Sequence, residues 1–206
     1  MKHTFLFIVR HGETIWNVQR KMMGKTDIPL SHRGKVQARA IAKLLAGYPI
    51  DVIYSSPLTR TLQTAKAIRT NKTTPLILHA ALKERDFGVL EGKTYEEAHA
   101  YGTPMQYGES KYYPYYQPPD GERLLDMENR AKLFIQELTH HRGKNIVIVS
   151  HGSFLRVLFC HLLGLKLDQM GDVHFDNASL SIIEIEDNQP GRLHALSITH
   201  HLPKEL

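Results

Sequence analysis

The chain has 206 residues, 42% hydrophobic, 23% charged and 8% aromatic, a balance that excludes disordered and fibrous classes and allows one domain with a sizeable core. Lysine and arginine outnumber aspartate and glutamate by 26 to 21, yet no basic run reaches five residues, so the charge fits a small anion held by converging cations as well as a polyanion. A lone cysteine, Cys160, excludes an internal disulfide and a multi-cysteine zinc cage, and no apolar run approaches a signal-peptide core or a membrane span. A cytoplasmic protein without membrane partners is expected.

Phe5–Val9 is apolar at every position, as a fully buried parallel strand is, and stops at Arg10. Ser31 opens a helical pattern with Val36, Ala40, Ile41, Leu44 and Leu45 on one stripe, ended by Gly47 and Pro49. Val52–Tyr54 is a short strand running into Ser56 and Pro57, which read as an N-cap and a first helical position. Leu76–Leu78 is a further short strand. A long amphipathic helix is predicted over about 122–141, with Leu124, Met127, Ala131, Phe134, Ile135 and Leu138 inward. Asn145–Val149 is the second strongly buried strand, and Ser153–Leu163 follows as a helix that is apolar nearly all round. Leu180–Ile185 and Leu193–Ile198 read as a closing hairpin that turns at residues 188–191.

Strands alternating with helices place the chain in the α/β class. The expected architecture is a single domain over residues 1–206, a three-layer α/β/α sandwich on a mostly parallel central sheet. One stretch breaks the rhythm, a tyrosine-rich insertion at about 95–121. Six of the nine tyrosines lie between Tyr101 and Tyr116, and prolines at 104, 114, 118 and 119 oppose regular structure. A lid, a binding loop or a disordered segment is expected there.

The two most hydrophobic strands both end in a polar residue, a histidine and a glycine: Arg10, His11, Gly12 and Ser150, His151, Gly152. In open parallel sheets ligands sit beyond the carboxyl ends of the strands. If the two strands are neighbours, two imidazoles meet there, and the helix after His151 aims its unused N–H groups at an anion. A single histidine at a strand end is more often a hydrogen-bonded structural residue. Two at equivalent ends, one preceded by arginine, point to a site.

Arg10-His11-Gly12-Glu13-Thr14 with Trp16 and Asn17 resembles the signature of the histidine phosphatase superfamily, in its phosphoglycerate mutase-like branch. The resemblance continues through Gly24–Asp27, Pro29–Ser31, Gly34, Gln37 and Ala38, then Ser55–Arg60 with Thr64 and Ala65. Glu84–Gly88 with Glu91 and Gly92, Pro119–Glu122 and Val149–Gly152 complete it, covering most of residues 4–160. It implies that His11 is a nucleophile forming a phosphohistidine. Arg10, Arg60 and His151 would surround the phosphoryl oxygens, with Asn17 and the Gly152 turn adding donors. Glu84 would protonate the leaving alcohol and then activate water. No metal or cofactor is implied, and the partner is a small phosphorylated substrate and not nucleic acid. The oligomeric state stays open, a homodimer included.

The residue types suit that chemistry on their own terms. Phosphoryl transfer asks a protein mainly for positioning and for charge on the equatorial oxygens. Two arginine forks match phosphate and stay charged, and a neutral imidazole attacks without a metal. A carboxyl group that must start protonated calls for burial or apolar contact at Glu84. Taken singly, Arg60 reads as a solvated helix residue and Glu84 as part of a charged surface turn; the motif blocks are what lift them. Glu13 is expected to support its loop, Trp16 to pack, and Ser153 to cap a helix or lend its N–H.

Competing motifs fail on spacing. Gly88–Thr94 is one residue short of a P-loop and follows no buried strand. Ile148 stands where a serine-hydrolase elbow needs glycine. The pairs His140–His141 and His200–His201 lack a zinc-protease pattern and are expected at the surface. Between Arg85 and Arg123 the only lysines or arginines are Lys93 and Lys111, few for a mutase that must hold a second anionic group. The expected activity is therefore hydrolysis of small phosphomonoesters, with mutase-type transfer and a non-catalytic phospho-ligand binder as alternatives. Arg20, Lys21 and Lys25 keep a bisphosphorylated substrate open.

Overall fold

Consecutive apolar residues in β1 (Thr4–Arg10) leave both faces of the strand buried: Leu6 and Ile8 point to one core, Phe7 and Val9 to another. A computed structural model of the chain describes residues 3–101, 115–186 and 189–203. Its six-stranded sheet has the order β3-β2-β4-β1-β5-β6, with β2 at Val52–Ser55, β3 at Leu76–Leu78, β4 at Asn145–Ser150, β5 at Leu180–Ile185 and β6 at Arg192–Ile198. β3, β2, β4 and β1 run parallel, while β5 and β6 are antiparallel additions at one edge. The register sets Arg10 opposite Ser150, so the two buried strands end level with one another.

Helices cover both faces. α5 (Leu124–Leu138) and α6 (Gly152–Leu162) pack on Leu6, Ile8, Tyr54, Ile146 and Ile148. α2 (His32–Leu45) and α3 (Thr59–Ile68) supply Ile41, Leu45, Ala65 and Ile68 to the core on the other side, with Phe7, Val9, Ile53, Val147 and Val149. The expected three-layer sandwich is present. Two short helices, α1 (Ile15–Val18) and α4 (Tyr95–His99), sit on loops beyond the sheet, each opened by a threonine capping box. Among the described residues no helix is long and apolar enough to cross a membrane.

Three local expectations shift. The α2 stripe is rotated: Gln37, Ala38, Ile41, Ala42 and Leu45 are buried, whereas Val36, Ala40 and Leu44 are half-buried. Gly34, Ala38 and Ala42 lie on that inner face, and small residues there let α2 approach its neighbours closely. α3 begins at Thr59 and not at Pro57, because its cap comes from elsewhere. Asp27 accepts the Thr59 N–H at 2.7 Å and the Thr59 hydroxyl at 2.7 Å, while the Ser56 hydroxyl oxygen accepts the Leu58 N–H at 3.3 Å one residue ahead of the helix. α5 ends at Leu138, and residues 139–141 tighten into a 3₁₀ turn. Of the tyrosine-rich insertion, residues 102–114 lie outside the described residues, as do residues 187–188 at the hairpin turn.

The loop after β1 rests directly on the first turn of α2. Ser31 donates its hydroxyl to the Glu13 carboxylate at 2.9 Å and its N–H to the Glu13 carbonyl at 2.9 Å. A Cβ on Gly34 would stand 2.0 Å from that carbonyl oxygen, so only glycine fits without moving the loop. Gly34→Ala should therefore cost about 1–3 kcal/mol of stability, the usual range for overpacking, and urea unfolding measures it.

Candidate active site

β1 and β4 are adjacent and level, so the residues immediately after them share one space. The rings of His11 and His151 lie 5.2 Å apart, and the His11 N–H donates to the Ser150 carbonyl at 3.0 Å. Both imidazoles are buried. Their protonation is fixed by what they touch. His11 Nδ1 lies 2.7 Å from the Gly12 carbonyl, which can only accept, so Nδ1 carries the hydrogen and Nε2 carries the lone pair. His151 Nδ1 accepts from Arg60 Nε at 3.1 Å, which leaves the hydrogen on Nε2, facing the Ser56 hydroxyl oxygen at 2.8 Å.

Charge and burial act in the same direction on the two rings. Burial, then Arg60 and Arg10, hold His11 well below the usual histidine value. His151 is lowered by burial first and then by Arg60, the His11 ring, Arg130 and Arg10. Neutral imidazoles are the resting state.

Arg60 is fully buried on the first turn of α3. Besides His151 it donates to the carbonyls of Thr26 at 2.9 Å and Gly24 at 2.7 Å. Its fork is thereby fixed by neutral acceptors, with no carboxylate in direct contact among the described residues, and burial pulls it down to about 10, still charged at neutral pH. Arg10, half-buried, donates to the Phe175 carbonyl at 2.6 Å. Its guanidinium lies beside Gly152, where a Cβ would meet Nε at 3.6 Å. Gly152 is the first residue of α6, so its N–H is one that the helix does not use.

Asn17 Oδ1 collects donors from the Thr14 N–H at 3.0 Å, the Thr14 hydroxyl at 3.1 Å and Asn177 Nδ2 at 3.3 Å. The oxygen is thus occupied, and the amide NH₂ is the end free to reach a ligand. Glu84 is buried, as expected, but its surroundings are polar and not apolar. Oε1 accepts from the Arg85 N–H at 2.9 Å and the Phe154 N–H at 3.1 Å, and Oε2 from the Ser153 N–H at 3.1 Å. Its carboxylate therefore sits on the N-terminus of the same helix that carries Gly152. Ser153 lends its N–H, while the N-cap position belongs to His151.

All seven residues singled out from the sequence thus surround one end of the sheet. Several supports escaped the sequence reading. Asn177 donates to the His11 carbonyl at 3.1 Å and bridges to Asn17, Thr64 accepts the Gly12 N–H at 3.2 Å, and Ser56 meets His151. Ser56 and Thr64 stand inside matched motif blocks, which was the available signal; Asn177 had none. Glu13, bound to Ser31, supports the loop. Cys160 is buried, its thiol pushed up to about 11 by burial, which removes it as a competing nucleophile. Among the described residues one group of three metal-competent side chains occurs, His3, Glu184 and Glu186, and His3 precedes β1 at the opposite end of the strand from His11.

Comparison with known proteins agrees with this geometry. The sequence model of the histidine phosphatase superfamily (branch 1) matches residues 6–198. Phosphoserine phosphatase 1 of Hydrogenobacter thermophilus is 36% identical over 204 residues, spanning 96% of this chain and 93% of that protein. A 2,3-bisphosphoglycerate-dependent phosphoglycerate mutase of Gloeobacter violaceus is 32% identical over 182 residues, spanning 83% of this chain and 81% of the mutase. A mutant phosphoserine phosphatase of Entamoeba histolytica, solved with phosphoserine, aligns with a TM-score of 0.84 at 31% identity, covering 97% of this chain and 100% of that one. With a family match that runs from β1 through β6 around this pair of histidines, the chain belongs to branch 1 of the histidine phosphatase superfamily.

Proposed function

We propose that this histidine phosphatase hydrolyses small phosphomonoesters, phosphoserine among them, through a phosphohistidine on His11. The observation that carries the reading is the Gly12 carbonyl on His11 Nδ1, which leaves Nε2 as an uncharged nucleophile beside two buried or half-buried arginines. Among the described residues every hydrogen-bond partner of Arg60 is neutral, and a bound phosphate anion supplies the balancing charge. The phosphoserine phosphatase relatives support the substrate class.

In the first step the phosphomonoester binds as its monoanion and passes its proton to the Glu84 carboxylate; His11 Nε2 then attacks phosphorus as the P–O ester bond breaks, and Glu84 gives that proton to the departing alkoxide. In the second, Glu84 takes a proton from water, the oxygen attacks phosphorus, and the P–N bond breaks to return neutral His11 and inorganic phosphate. Arg10, Arg60, His151, Asn17 and the Gly152 N–H hold the equatorial oxygens throughout. Each aimed donor is worth roughly 3 kcal/mol at the transition state, by analogy with oxyanion holes. No step uses a metal. The lone buried Cys160 and the absence of a membrane-length helix among the described residues fit a cytoplasmic enzyme.

The mutase relative supports transfer to a second substrate as the other reading. The few cations between Arg85 and Arg123 favour water as the acceptor. Three outcomes are expected. After EDTA treatment the protein should turn over 4-nitrophenyl phosphate and phosphoserine, and His11→Ala should lower kcat/KM by more than about 10⁴-fold; undiminished turnover in that variant refutes the nucleophile. With 3-phosphoglycerate and 2,3-bisphosphoglycerate together, phosphate release should outpace isomer exchange, and the reverse order makes the chain a mutase.

The neutral resting state also has a stability consequence. With both rings held below 6.5 in the folded chain, acid lets the unfolded chain bind protons that the folded chain refuses. Stability is full above about pH 7 and falls as pH drops through 6.5, by up to about 1.4 kcal/mol per pH unit for each ring. Urea unfolding between about pH 7.5 and pH 5.5 should show that fall, and His11→Asn should remove about 1 kcal/mol of it over the whole interval.

A further inference from the structure

The side chain of Arg130, on α5, makes one hydrogen bond for each of its five N–H groups, and every one goes to the segment that carries Glu84 or to the residue that brackets it. Nη1 donates to the Lys83 carbonyl at 2.6 Å and to the Ala81 carbonyl. Nη2 donates to the Glu84 carbonyl at 3.2 Å and to Glu122 Oε2 at 3.0 Å, and Nε donates to Glu122 Oε1 at 2.8 Å. Glu122 in turn accepts the Asp86 N–H at 3.3 Å on Oε2 and donates its own N–H to the Asp86 carbonyl at 2.8 Å. Residues 81–86 are therefore held from both sides by one ion pair.

The guanidinium also packs on a residue whose main chain binds the Glu84 carboxylate. It lies 4.7 Å from the centre of the Phe154 ring, and the Phe154 N–H is one of the donors to Glu84 Oε1. Arg130 thus touches both the peptide of Glu84 and the residue that binds its carboxylate, without touching the phosphate-binding side chains His11, Arg10 or Arg60 in any described hydrogen bond.

We propose that Arg130, through its pair with Glu122, is a positioning residue for proton transfer by Glu84 to the leaving alcohol. The inference rests on the reading of Glu84 as the acid. A carboxyl group displaced by about an ångström loses roughly 100-fold in rate, but only where the leaving oxygen needs a proton. An alkoxide such as that of phosphoserine needs one; the acidic 4-nitrophenolate hardly does. Five N–H groups in a planar fork span three carbonyls and a carboxylate, and the single ammonium of lysine cannot.

The test compares kcat/KM, which reports the first phosphoryl transfer, for phosphoserine and 4-nitrophenyl phosphate in the wild type, Arg130→Met, Arg130→Lys and Glu84→Gln. Arg130→Met should lose about 100-fold on phosphoserine and less than about 10-fold on the aryl ester, with inorganic vanadate binding within about threefold of wild type. Arg130→Lys, which serves where the Met variant fails to fold, should show the same preference at about a tenth of that size. Equal losses on both esters, or a parallel loss of vanadate affinity, overturn the positioning role and leave Arg130 a structural residue. Glu84→Gln must show the same leaving-group dependence. If it does not, the acid assignment itself falls; if it does while the Arg130 variants do not, only the positioning role falls.

Discussion

The pairing of Arg10 with Ser150 across two parallel strands is the constraint from which the rest of the site follows. Both strands are buried on both faces, so a slip by one residue would exchange the residues packed under α5 and α6 with those packed under α2 and α3. Leu6 and Ile8 would trade layers with Phe7 and Val9, and both cores would have to repack. Core packing therefore locks the register, and the register brings the two imidazoles to 5.2 Å. Placement of the chemistry is a by-product of hydrophobic burial.

On that frame the electrostatics are unbalanced by design of the sequence. Arg60 is fully buried with three neutral acceptors among the described residues. Carbonyl dipoles orient a guanidinium without cancelling its charge, so the positive potential stays available to a ligand. Burial first, and then that same potential, keep both histidines neutral. A site that repels its own protons in this way has uncharged nitrogen on offer at neutral pH, which is what a nucleophilic imidazole requires.

Much of this was legible in the sequence because it rests on local signals. Five consecutive apolar residues before Arg10 and four in Ile146–Val149 are buried-strand patterns that tertiary context did not override. The start of α3 was misread because its cap, Asp27, lies 32 residues away, and propensity sees only neighbours. The inner stripe of α2 was misread because Gln37, Ala38 and Ala42 carry little hydrophobicity and are buried for their size or their hydrogen bonds, Gln37 accepting the Glu13 N–H at 2.8 Å. Asn177 was invisible for the same reason as Asp27: its partners, the His11 carbonyl and Asn17, are joined to it only by the fold. The polar environment of Glu84 likewise depends on a helix that begins 68 residues later.

The opening turn of α6 joins two ends of the site. Gly152 packs against the Arg10 guanidinium, and the next two peptides grip Glu84. A helical turn rises about 5.4 Å and is among the stiffest spans a chain can build. On the proposed reading it serves as a fixed gauge between the phosphoryl group and the ester oxygen, set by main-chain geometry and not by rotamers. Such a gauge measures only the one bond common to all phosphomonoesters, so exchanging the alcohol leaves it undisturbed, and discrimination between alcohols falls to parts of the chain that lie beyond it.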